Sequence, residues 1–93
     1  MSYQAAYKYV AAGTATTVVK SGAGVLRSIT INTKGASANT MTVYDNTAGS
    51  GTKIAVIDST GGAATLTYNV AFATGLTIVS ATGTGADYTV SYE

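Results

Sequence analysis

The chain has 93 residues, a net charge of +1 and charged side chains at only 10% of positions, where a typical globular domain carries roughly 25%. Neither sign dominates, so nothing draws the protein to DNA, RNA or an anionic membrane surface. With no cysteine and no histidine, disulfides are excluded, and a zinc site lacks its customary ligands.

Tyr3 to Val10 alternates Tyr3, Ala5, Tyr7 and Tyr9 on one face with Gln4, Ala6, Lys8 and Val10 on the other, because successive strand side chains point to opposite sides. Residues 1–13 read as an N-terminal strand or extended arm, ahead of a single domain over residues 14–93. Tyr3, Tyr7, Tyr9 and Val10 are its candidate interface residues, since aromatics of this kind are enriched at interfaces. Thr14 to Lys20 is a second strand, closed by the turn Ser21-Gly22-Ala23-Gly24.

Three strands follow between Gly24 and Asp58. In the first, Val25, Ile29 and Ile31 share a parity that Arg27 interrupts; in the next two, Met41 with Val43 and Ile54 with Val56 are expected to enter the core. Thr65 to Phe72 alternates cleanly, with Leu66, Tyr68, Val70 and Phe72 inward. Leu76 to Ala81 is a short buried run, and Tyr88, Val90 and Tyr92 share one face of the last strand. β-Branched residues with threonine between them suit a half-buried pleated surface. The intervening Gly/Asn/Ser clusters supply the backbone freedom of turns.

Eight short strands at intervals of about ten residues, with no helical periodicity, predict an all-β sandwich or barrel. Eight strands suit a two-sheet, jelly-roll-like sandwich. An immunoglobulin-like sandwich is the alternative, although its Cys…Trp…Cys signature is missing. A domain this small buries roughly 60–65% of its unfolded surface, so partner subunits are the remaining common support. Few charges and no proline guard the sheet edges, which invites pairing with another chain. The competing reading of this composition is a solvated, threonine-rich extracellular domain. No secretory leader and no run of apolar residues long enough to span a membrane is visible, so synthesis in the cytoplasm is expected.

Chemistry is hard to find. The carboxylates are Asp45, Asp58, Asp87 and Glu93. Asp45 and Asp58 flank one hairpin and are the only candidates for an acid/base pair or an improvised cation site, yet both occupy positions where turns ordinarily place Asp. The run Asp45-Asn46-Thr47-Ala48-Gly49-Ser50-Gly51 fails the EF-hand pattern, because its fifth position is Gly49 and its sixth Ser50. The Gly-x-Gly pairs at 22/24, 49/51 and 83/85 lack the third glycine of a dinucleotide fingerprint. None of the asparagines opens an Asn-x-Ser/Thr acceptor site. Lys20, Arg27, Lys34 and Lys53 are scattered, as solubilising charges are. No catalytic, cofactor-binding or metal-binding residue is expected, and the chain does not read as an enzyme. Tyrosines on a β-sandwich can stack on sugar rings, so a carbohydrate-binding module is the second functional reading.

The stretch GVLRSITINTKGASANTMTVYDNTAGSGTKIAVID, followed by ATLTYNVAFATGLTIV, resembles small all-β virion proteins of tailed bacteriophages, over roughly residues 24–93. The resemblance implies a capsid decoration (cement) protein, or another small head or tail component, often trimeric. Its expected partners are the major capsid protein and further copies of itself, with no nucleic acid and no membrane, and its expected place is the surface of the phage head. It carries no catalytic residues to transfer.

Overall fold

A computed structural model describes residues 5–35, 39–80 and 85–93. Eight strands account for most of them: β1 (Ala6–Val10), β2 (Thr16–Ser21), β3 (Gly24–Thr33), β4 (Thr40–Asp45), β5 (Thr52–Asp58), β6 (Ala64–Phe72), β7 (Gly75–Ser80) and β8 (Asp87–Tyr92). They form two antiparallel sheets of four, ordered β1-β8-β3-β6 and β2-β7-β4-β5. The pairs are nested: β4 with β5, β3 with β6, β2 with β7 and β1 with β8. One long hairpin, folded over on itself, produces this order, which is the jelly roll. An immunoglobulin-like arrangement would place the first two strands side by side in one sheet; here they lie in different sheets.

The core lies between the sheets. Leu26, Ile29, Ile31, Phe72, Tyr88 and Val90 enter it from one side, and Met41, Val43, Ile57, Leu76 and Ile78 from the other. Simple alternation misplaces two of the expected core residues, and bulges are the reason, since one extra residue flips the parity of the rest of the strand. In β3 the register against β8 steps from Leu26↔Tyr92 to Ser28↔Ser91, leaving Arg27 unpaired. Leu26 is therefore fully buried and Val25 only partly so. In β5 the step from Ala55↔Val43 to Lys53↔Tyr44 leaves Ile54 as the extra residue. Ile57 then faces the core, while Val56 is 60% exposed. Val70, read as inward, points the right way but lies on edge strand β6 and keeps 36% of its surface in solvent.

Two close approaches fasten the ends. A Cβ at Gly24 would collide with the backbone oxygen of Glu93 and lie 2.7 Å from the Phe72 ring, so the start of β3 admits only glycine without movement. At the other end, buried Ser59 donates from Oγ to the Asn39 carbonyl oxygen (3.0 Å) and to its Oδ1 (3.1 Å). The Gly35 amide donates to the Ser59 carbonyl at 2.8 Å, tying the β3–β4 link to the β5–β6 turn.

Candidate functional site

The four carboxylates are dispersed, and each has partners. Asp45 accepts from the amides of Ala73 (2.9 Å), Thr74 (2.8 Å) and Gly75 (3.4 Å), which form the β6–β7 turn. These amides hold its carboxyl below the usual range, against a smaller opposing desolvation. Asp58 accepts from the Thr60 hydroxyl (2.5 Å) and amide (2.9 Å), and its carboxyl is lowered by those two bonds. For Asp87, desolvation is the largest influence and raises the pKa. The hydrogen bond from Tyr9, with Thr33 and backbone groups close by, outweighs it, so the net shift is downward, while Oδ1 is itself buried without a hydrogen bond. Glu93 accepts from Arg27 Nε at 2.7 Å and forms an ion pair with the same guanidinium.

Asp45 and Asp58 do not come together. The ladder pairs Asp45 with Thr52 and Asp58 with Thr40, so the two carboxylates stand at opposite ends of one hairpin. Five residue steps separate Thr40 from Asp45, about 17 Å at 3.3–3.4 Å each. An acid/base pair for glycoside cleavage needs roughly 5–9.5 Å, and one cation cannot be shared across the longer span. Among the described residues, no group of three acidic side chains converges on a point. The Asp45–Gly51 stretch is a turn: Asn46 Nδ2 donates to the Ser50 carbonyl at 2.7 Å. The turn folds over sheet β2-β7-β4-β5, and its Asn46 carbonyl receives the buried Thr77 hydroxyl at 2.7 Å.

What remains is surface, and it has a pattern. On the outer side of sheet β1-β8-β3-β6 the registers align Thr65, Thr30, Thr89 and Tyr9 in one row and Thr67, Ser28, Ser91 and Tyr7 in the next. Hydroxyls and small amides fill the rows, linked by Thr30–Thr65 (3.2 Å) and by Asn32 Nδ2 to Thr89 (3.2 Å). Each row ends at a tyrosine of β1. Tyr7 is 75% exposed and Tyr9 54%. Tyr9 donates its hydroxyl to Asp87 at 2.9 Å, which raises its pKa chiefly through that bond and tethers the ring to β8. Arg27, Asn69, Ser28, Thr65, Thr67 and Ser91 line a shallow depression in the same face. Arg27 Nη1 donates to Asn69 at 3.2 Å, and Asn69 has a left-handed backbone, φ 53°, opposite the β3 bulge.

β1 is exposed on both faces from Ala6 to Tyr9. It is held by its ladder to β8 and by Val10, which is buried in the chain's own core. Val10 thus has no surface to offer a neighbour, and of the four expected interface residues Tyr7 and Tyr9 stand out from the body. Tyr3 lies outside the described residues. Sequence reasoning missed the opposite side of the sandwich. There β5 and β6 leave a groove of about 340 Å³, lined by Ile31, Val56, Ile57, Leu66, Tyr68 and the turn after Asp58. Alternation alone assigns Leu66 and Tyr68 wholly to the core; their half-exposed state on an edge strand is what opens the groove.

The chain matches no protein-family model, no curated protein and no solved structure.

Proposed function

We propose that this chain is a structural protein of a tailed-phage virion, a decoration (cement) protein. In this reading it binds the outer surface of the major capsid protein shell as a homo-oligomer, a trimer by resemblance, and transforms no substrate. The observation that carries the proposal is β1. A strand with both faces in solvent and two protruding tyrosines is built to be covered by something else. Fully burying a large apolar side chain yields about 1.5–3 kcal/mol, so covering the exposed parts of Tyr7 and Tyr9 supplies about 2–4 kcal/mol. Association costs about 4–15 kcal/mol in lost freedom. One copy alone holds weakly, and a symmetric assembly engaging several sites at once holds firmly. The dispersal of the carboxylates and the phage-protein resemblance support the same reading.

Removal of residues 2–10 tests it. The truncated protein is expected to keep its β circular-dichroism spectrum and to lose co-sedimentation with capsid shells. A folded, truncated protein that still decorated shells normally would refute the role given to β1.

A second reading is favoured by one feature, the placing of Tyr7 beside the depression lined by Arg27, Asn69 and hydroxyl side chains. This is a surface on which a sugar ring can stack and be hydrogen-bonded. Glycan-array binding that disappears in Tyr7→Ala would support it over decoration.

A further inference from the structure

We infer that a second copy of this chain docks head to tail, its β1 edge pairing with the β6 edge and closing the groove beside it. The inference rests on the reading that the protein works as an assembly of identical copies, and it assigns the surfaces that join them.

β1 and β6 are the two outer strands of one sheet. Each sheet neighbour is antiparallel to the next, β1 to β8, β8 to β3 and β3 to β6, so β1 and β6 run in opposite directions. A neighbouring copy set edge to edge in the same orientation therefore offers β1 antiparallel to β6, the favourable ladder. β6 spans nine residues, Ala64–Phe72, without a charge or a proline; its one edge-blunting feature is the irregularity at Tyr68–Asn69, which leaves the Ala64–Thr67 half, beside the groove, in regular register. The hydroxyl rows on the outer face would run on across the junction.

Charge complementarity selects the partner. The single charge of β1 is Lys8, paired in register with Val90 and hence on the core side of its sheet. On a neighbour's β6, that side lies over the groove. The single charge lining the groove is Asp58. Lys8 and the Asp58-lined groove lie at opposite ends of the sandwich, so the contact is heterologous, as in a ring or an open filament. A two-fold β6–β6 pairing would instead set two Asp58-lined grooves side by side.

The absence of cysteine gives a clean background for the test. Two single variants of the full chain, Tyr7→Cys on the outer face of β1 and Thr67→Cys on the outer face of β6, are purified without shells. Each is treated with a short bismaleimide alone and as an equimolar mixture, with thermal melts to establish folding. Head-to-tail docking gives at least tenfold more cross-linked product in the mixture than in either variant alone. Adding Lys8→Glu to the Tyr7→Cys chain lowers that yield about tenfold, and Asp58→Lys in the Thr67→Cys chain restores it. Product from Thr67→Cys alone, product from Tyr7→Cys alone, or no product above background in folded samples would each overturn the inference. Since no capsid is present, these results are independent of whether the protein decorates shells.

Discussion

Tyr88→Phe is expected to stabilise this protein, against the usual direction of Tyr→Phe at a buried site. Tyr88 is among the largest fully buried side chains, and its hydroxyl forms no hydrogen bond of good geometry. Thr17 and Ser80 lie near enough to ease its ionisation slightly. Burial dominates and pushes the phenol up to about 12. The Ser80 hydroxyl is also buried without a partner. An unsatisfied buried hydroxyl costs about 1–3 kcal/mol, and phenylalanine keeps the ring in place. With Thr17 and Ser80 close by, the lower end applies, a gain of about 1 kcal/mol. For a domain of this size that is an increase of roughly 4–8 °C in melting temperature. Urea titration at pH 7 measures it as a higher midpoint at unchanged slope. The alkaline limb gives a second signature. In the unfolded chain the phenol ionises near 10, so the native state holds the proton longer and stability falls as pH rises from about 10 towards 12. The phenylalanine variant should lose less stability over that window. A loss of about 1 kcal/mol at pH 7 would mean the hydroxyl is well partnered and would refute the reasoning.

Asp45, Asp58 and Asp87 all have native pKa values below the ordinary range. Their stabilisation is present above about pH 4, the unfolded value, and is lost as pH falls through the native values; urea midpoints between pH 2 and 6 should show this, and Asp45→Asn should flatten the slope. Neighbouring β5 residues should differ sharply: Ile57→Ala is expected to cost about 2–5 kcal/mol, and Val56→Ser at an exposed position no more than about 0.5 kcal/mol, both read by denaturant midpoints. Amide hydrogen exchange should be much faster for Tyr7 to Tyr9 than for Leu26 to Ile31 in dilute protein, because β1 is the least buried strand.

All eight strands, and the turns that lie within the described residues, are legible in the sequence, because period-two alternation and Gly/Asn/Ser punctuation are local signals. The strand count leaves a barrel and a sandwich both open; the division into two sheets of four is set by the long-range pairing. Parity within β3 and β5 is not legible: a bulge at Arg27 or Ile54 is a property of the partner strand's register, and nothing local separates Val56 from Ile57 as the inward residue. The tyrosine ladder of β1 is visible as a pattern, but that Val10 belongs to the body while Tyr7 and Tyr9 leave it depends on where the facing sheet ends. The groove is hidden for the same reason. Leu66 and Tyr68 look like core residues in any alternating strand, and only their place on an edge beside β5 leaves them half open.

The energetics of β1 connect its exposure to its use. Ordering the backbone of five residues costs about 5–10 kcal/mol at 1–2 kcal/mol each. Against this stand burial of Val10, about 2 kcal/mol, and the β8 ladder, at about 1 kcal/mol net for each of the five paired residues. The sum is near zero, so β1 is held on its own body at close to break-even. A strand in that condition gains stability from any surface that covers Tyr7 and Tyr9 or pairs its free edge, and by linkage it transmits the same amount to the affinity of that contact. The body of the jelly roll does not share this dependence, since Leu26, Ile29, Met41, Val43, Leu76, Ile78 and Val90 are sealed without help. Stability is thereby graded along the chain: β2 to β8 supply a core that is sealed without help, while β1 is the strand that a covering surface would stabilise.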